Sequence, residues 1–95
     1  MTAALRSESP DEGTVALDET IRSLFATLLQ VAPEQVDERS SPDTLERWDS
    51  MQHLILVSGF EEELGIDVDP EEAVDMYESY AVFQRMVLKK LHSRP

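Results

Sequence analysis

Trp48-Asp49-Ser50-Met51 is the stretch on which the reading of this chain turns, because a proline-containing loop stops there and a helix of about four turns begins. Asp49 fits the N-cap and Gln52 stands three residues on, a capping-box spacing in which each side chain takes up a free backbone N–H at the other position. Gly65 fits the C-terminal stop, so the helix is expected over Ser50 to Leu64. At about 100° per residue the helix shows two stripes. His53, Leu56, Val57, Phe60 and Leu64 fall on one side, assigned to the core. Met51, Ile55, Ser58 and Glu62 fall on roughly the opposite side, which places two apolar side chains outward beside an acidic one and suggests a docking surface. Gly59 lies mid-helix at a cost of about 1 kcal/mol relative to alanine, and close approach of a partner would account for it. Because Asp49 already caps, the Ser50 hydroxyl is left free at the positive end of the helix, where it is placed to carry a group.

Outward from that helix the rest of the chain reads as its scaffold. Met1 to Gly13 is rich in Ser, Glu, Asp, Pro and Gly with little to bury, and is expected to be a disordered tail. A domain over residues 14–92 follows, with 93–95 as a C-terminal tail and fraying expected from His92 onward. Leu17, Ile21, Leu24, Leu28 and Val31 recur at helical spacing and predict a first helix over about Val15 to Val31, with Pro33 just past its end. The segment from Ala32 to Asp49 is long for a connection in so small a domain and must be pinned. Val36, Leu45 and Trp48 are its large apolar residues and are expected to tuck against the helices. Ser40, Ser41, Pro42 and Asp43 turn the chain, and a short helical turn fits Asp43 to Glu46. Beyond Gly65, Ile66 and Val68 anchor the next connection. Pro70 opens a short third helix to about Tyr77. Ser79 caps a fourth helix, whose buried stripe is Tyr80, Phe83, Val87 and Leu91 and whose end carries Lys89 and Lys90. No run alternates as a strand does, so the expected fold is all-α, a small bundle of three main helices plus the short third one.

Composition narrows the function classes. A chain of 95 residues buries only about 60 to 65 % of the surface its unfolded form exposes, which leaves little room for a deep catalytic pocket. Twenty acidic and 8 basic residues give a formal net charge of −12. Such a field repels nucleic acid and anionic membrane surfaces and speeds association with basic proteins. The absence of cysteine excludes disulfides, thiol nucleophiles and thiolate metal sites. The N-terminal stretch has neither a basic start nor an apolar run, and no later stretch could span a bilayer, so a soluble cytoplasmic protein is expected, with a monomer as the default state.

Two patterns compete with a carrier serine. Asp67, Asp69, Glu71, Asp75 and Glu78 fall at the first, third, fifth, ninth and twelfth places of a calcium-loop register, but Glu72 stands where the loop requires glycine and Pro70 stiffens the segment. Asp49, Ser50 and His53 could be read as a nucleophile with a base one turn on. Yet His53 projects toward the core side and no strand-turn-helix elbow surrounds the serine, so a partly buried, hydrogen-bonded histidine is the better reading.

Taken together, the first amphipathic helix, the long loop, Asp49-Ser50-Met51, the run Phe60-Glu61-Glu62-Glu63-Leu64-Gly65-Ile66, the short helix after Pro70 and the last helix resemble the acyl carrier proteins. The resemblance covers about Val15 to Leu91. It implies a protein that is not itself an enzyme, with 4'-phosphopantetheine esterified to Ser50 and acyl groups held as thioesters on that arm. It also implies as partners a phosphopantetheinyl transferase and acyl-loading and acyl-transferring enzymes, whose basic, apolar grooves would meet Met51, Ile55 and Glu62, while Asp49 caps the helix and helps the transferase grip. Met51 replaces the family's leucine, a change that conserves volume. Ile55 stands where many members carry an acid, so docking here is expected to be more apolar. Trp48 replaces a small residue common in carriers of fatty-acid synthesis, and Trp-Asp-Ser looks more like freestanding carriers of polyketide and other specialised biosynthesis. The alternatives are a peptidyl carrier, which the acidity disfavours, a small acidic helical binding module, and a calcium-binding helical protein.

The charge alone makes one prediction. Self-repulsion at −12 destabilises so small a fold, so added salt or magnesium is expected to raise the melting temperature. A melting temperature that stays flat or falls across a salt titration would remove this account.

Overall fold

Four α-helices and one 3-10 turn make up the described part of the chain, residues 10–93 of a computed structural model, with no strand among them. The helices are α1 (Pro10–Leu29), α2 (Ser50–Leu64), α3 (Pro70–Met76) and α4 (Tyr80–His92), with the 3-10 turn at Pro33–Gln35. Helix α2 has the bounds expected from sequence, and α3 and α4 differ from expectation by a residue or so. Helix α1 differs at its start, which is Pro10 and not Val15, inside the stretch read as a tail. Proline suits a first helical position, since its φ is already helical and its missing N–H would have had no partner there. The rest of the expected tail, residues 1–9, lies outside the described residues, as do residues 94 and 95. At the other end His92 is still helical, against the fraying expected there, and the Ser93 hydroxyl donates to Lys89 O at 2.9 Å.

The core-facing row of α1 shares Ile21 with the stripe the apolar spacing picks out, and Leu24, Leu28 and Val31 of that stripe pack at the core's edge, but the most buried row is rolled toward Phe25. Ile21, Phe25, Ala26 and Leu29 are fully buried, whereas Leu17, Leu24, Leu28 and Val31 are only half-buried. The reason is aromatic: Phe25 meets Trp48, Tyr80 and Phe83 edge to face at centroid distances of 5.0, 4.9 and 5.1 Å. Rings in this geometry gain about 0.5–1.5 kcal/mol per pair beyond their buried area, enough to set the roll of a helix whose two flanks are both apolar. Phe60 joins the same cluster through Phe83 at 4.8 Å.

The long loop is pinned as its length demands, with Val36, Leu45 and Trp48 all buried. Its turns lie a little earlier than expected: Ser41 O accepts from the amides of Thr44 and Leu45, at 3.0 and 2.8 Å. Ser40 is also buried, its hydroxyl accepts from Asp37 N at 2.9 Å, and its carbonyl accepts from Tyr80 N at 2.8 Å, which ties the loop to the start of α4. Helix α1 ends in a Schellman pattern, Val31 N to Ala26 O and Gln30 N to Thr27 O, with Gln30 at a φ of 65° where glycine is usual. Arg47 from the loop offsets that strain: its Nε donates to Leu29 O at 3.1 Å and its guanidinium also bonds the Gln30 side chain. A glutamine is therefore useful at this position in a way glycine would not be.

Gly59 is where α1 and α2 touch, not an approach reserved for a partner. A Cβ there would lie 2.6 and 2.9 Å from the two terminal carbons of Leu28. Gly59→Ala is accordingly expected to destabilise the native chain by about 1 kcal/mol through overpacking, yet to stabilise it by a similar amount once Leu28→Ala has opened the space. Thermal or chemical denaturation of the two singles and the double checks this; effects that simply add would refute the contact.

Candidate functional site

Helix α2 begins with a cap whose parts are visible. Asp49 lies in extended conformation, its Oδ1 accepts from Gln52 N at 2.8 Å and its carbonyl accepts from His53 N at 2.8 Å. Only this half of the expected capping box forms. Ser50 is exposed, and among the described residues its hydroxyl, its amide and that of Met51 have no hydrogen-bond partner. Two unpaired N–H groups at the positive end of a 15-residue helix thus sit beside a solvent-exposed hydroxyl. An anionic group attached to that oxygen would find donors already pointing at it.

The outward face of α2 is as apolar as the sequence suggested, and more so. Met51 is 71 % exposed and Ile55 51 %, with Ser58 and Glu62 exposed alongside. Leu54, 66 % exposed, belongs to the same surface and is missed by the two-stripe pattern, because it falls between the stripes. Leu28, Leu54, Ile55, Ser58, Gly59 and Glu62 line a shallow groove along the helix, so the close contact of α1 at Gly59 forms its floor. Among the described residues Val74 on α3 is the other large apolar side chain left in water, at 72 %. The neighbouring Glu61 is occupied within the fold: its Oε2 accepts from Val68 N at 2.9 Å and closes the connection from α2 to α3.

His53 is neither solvent-facing nor free to act as a base. It is 5 % exposed, and both ring nitrogens are engaged. Trp48 Nε1, an indole N–H that can only donate, lies 3.0 Å from His53 Nδ1, so that nitrogen must accept. The proton of the neutral ring is then on Nε2, 2.7 Å from the Ala73 carbonyl of α3. Tyr77 and Phe83 pack against the same imidazole at 4.8 and 6.2 Å between centroids. Burial lowers the pKa of His53, with the Ala73 hydrogen bond acting in the opposite direction. With both imidazole nitrogens engaged elsewhere, His53 is not placed to act as a general base for Ser50.

The calcium register is not laid out as a loop. Its middle, Pro70–Met76, is helical, and Glu72, in the place of the loop glycine, uses one oxygen to accept from Asp69 N at 2.9 Å and to meet Lys90 Nζ at 2.8 Å. That pairing with Lys90, above all, lowers the pKa of Glu72. No group of three or more His, Asp or Glu side chains able to hold a metal ion occurs among the described residues. No helix among them is long and apolar enough to cross a membrane.

Comparison with known proteins adds no identity: no family model, no curated protein and no solved structure matches the chain.

The tautomer assignment sets a pH dependence. Below about pH 6.5 the unfolded chain takes a proton on this imidazole before the folded chain does, since burial disfavours the charged ring and protonating Nδ1 would also break the bond to Trp48. The contribution is therefore complete above that pH and is lost as the pH falls, by at most about 1.4 kcal/mol per pH unit. Carboxylate protonation relieves the −12 charge in the same direction of titration, so the native chain is to be compared with His53→Gln, which cannot titrate. Between about pH 7.5 and 5.5 the native melting temperature is expected to fall relative to that of the variant; parallel curves would contradict the assignment.

Proposed function

We propose that the chain is an acyl carrier protein, with Ser50 as the attachment point for 4'-phosphopantetheine. The observation that carries this reading is the exposed Ser50 hydroxyl at the start of α2, relieved of capping duty by Asp49 and with no partner among the described residues, next to two amides likewise unpaired among them. A phosphodiester on Ser50 Oγ would be met by the amides of Ser50 and Met51 and by the positive end of the helix. Bound there, the group supplies a flexible arm ending in a thiol on which acyl groups travel as thioesters. The protein's part is to hold the arm in solvent and to bring it to each partner at high effective concentration.

Met51, Leu54 and Ile55 offer such partners an apolar patch, and Glu62 adds a charge at its edge. The net charge of −12 favours enzymes with basic surfaces, a phosphopantetheinyl transferase first and then acyl-loading and acyl-transferring enzymes. The sequence features around Ser50 support a pathway of polyketide or other specialised biosynthesis, or one of fatty-acid type. A second reading, a small acidic binding module without a cofactor, draws on that same apolar face, which could dock a partner whatever becomes of Ser50.

Incubation with coenzyme A, magnesium and a promiscuous phosphopantetheinyl transferase separates the two. Intact-protein mass is expected to rise by one phosphopantetheine in the native chain and not at all in Ser50→Ala. No addition to correctly folded protein would leave the binding-module reading in its place.

A further inference from the structure

We propose that His53 is a positioning residue for the chemistry at Ser50, a role that rests on the carrier reading above. Among the described residues Ser50 has no hydrogen-bond partner for either its hydroxyl or its amide, so its placement is set by what holds the residues on either side. On the downstream side that is the helix. On the upstream side it is Trp48, whose ring is 1 % exposed and whose backbone N–H donates to Leu45 O at 3.0 Å. The indole N–H reaches over Asp49 and Ser50 to His53 Nδ1, one turn into α2. Two buried side chains thereby bracket the serine, closing a short loop of chain through one hydrogen bond.

The far nitrogen of the same ring bonds the Ala73 carbonyl, so α3 and the serine segment share a single imidazole. Each bond selects the tautomer that the other needs. An acceptor at Nδ1 leaves the proton on Nε2, and a proton on Nε2 satisfies a carbonyl. Displacement of α3 would free Nε2, remove one of the two bonds that select the tautomer and so loosen Trp48, and with it the Asp49-Ser50 backbone. The position of a short helix is in this way communicated to the serine through the His53 imidazole.

The two bonds can be removed separately, because an asparagine amide oxygen reaches where Nδ1 lies and a glutamine amide nitrogen reaches where Nε2 lies. His53→Asn keeps the Trp48 bond, His53→Gln keeps the Ala73 bond, and Trp48→Phe deletes the indole donor while leaving His53 in place. In the full chain, amide exchange at Gln52 and His53 is expected to quicken about tenfold in His53→Gln and Trp48→Phe, the scale of one hydrogen bond. The amides of Phe83 and Val87 in α4 should be unchanged, and His53→Asn should stay close to native. In phosphopantetheine transfer the same two variants should raise KM about tenfold with kcat nearly constant, and His53→Asn should again be near native.

Exchange rates and KM that simply follow each variant's melting temperature, with the asparagine and glutamine variants alike, would overturn the proposal and leave His53 a structural residue. A native chain that accepts no phosphopantetheine would remove the carrier reading instead, and the exchange measurement would then decide the role of His53 by itself.

Discussion

One buried indole imposes the order of this fold. Trp48 lies at the end of a loop with little regular structure, and burying its ring in the cluster around Phe25 fixes where that loop must finish. An indole N–H taken out of water needs an acceptor, and leaving it unpaired would cost about 1–3 kcal/mol. The acceptor is His53, which belongs to the next helix, and its remaining nitrogen is satisfied by a third element at Ala73. The polar demand of a single apolar side chain therefore joins the loop, α2 and α3 at one point. Phe83 of α4 and Tyr77 close the surroundings of the same imidazole, so four parts of the chain converge on it.

With so high a net negative charge, one would expect the acidic residues to be little more than a solvated coat. Several are instead structural. Asp49 caps α2, Glu61 closes the turn into α3, and Glu72 both receives the Asp69 amide and holds Lys90 at the far end of α4. These bonds to backbone N–H groups are charge-assisted and local, which suits a chain whose hydrophobic core is small. Glu62, by contrast, is exposed beside Ile55 and Ser58. Position on the helix separates its availability to a partner from the occupied carboxylate of Glu61, one residue away.

The bounds of α2, its cap and its left-handed stop at Gly65 could be read in the sequence because each depends on local chemistry: a short acceptor side chain, a periodic apolar stripe and a residue that tolerates positive φ. The same holds for Ser79 ahead of α4, whose hydroxyl accepts from Val82 N. What was not legible depends on distant partners. The roll of α1 follows from which rings Phe25 can reach, a matter of tertiary arrangement that leucine spacing does not encode. Gly59 reads in sequence as an opening for a partner because Leu28, far upstream in the chain, cannot be seen to fill it. Leu54 sits between the two stripes of its helix, and only its exposure in the folded chain assigns it to the outer face. The free hydroxyl of Ser50 was legible for a local reason, namely that the residue before it already performs the capping.

The case for a carrier over a plain binding module turns on that division of labour. An exposed apolar patch such as Met51, Leu54 and Ile55 serves either function, and so does a strongly acidic surface. A binding module needs no serine there, since its helix would be equally well started by a cap followed by any helix-forming residue. What a carrier needs in addition is a hydroxyl that takes no part in holding the fold, on a backbone that is itself held firmly. Ser50 meets the first condition, since its side chain bonds to nothing among the described residues, and the Trp48–His53 pair meets the second. A free hydroxyl set between two buried anchors is more organisation than docking alone requires, and it is the feature that supports the proposed attachment of a group at Ser50 over a plain binding module.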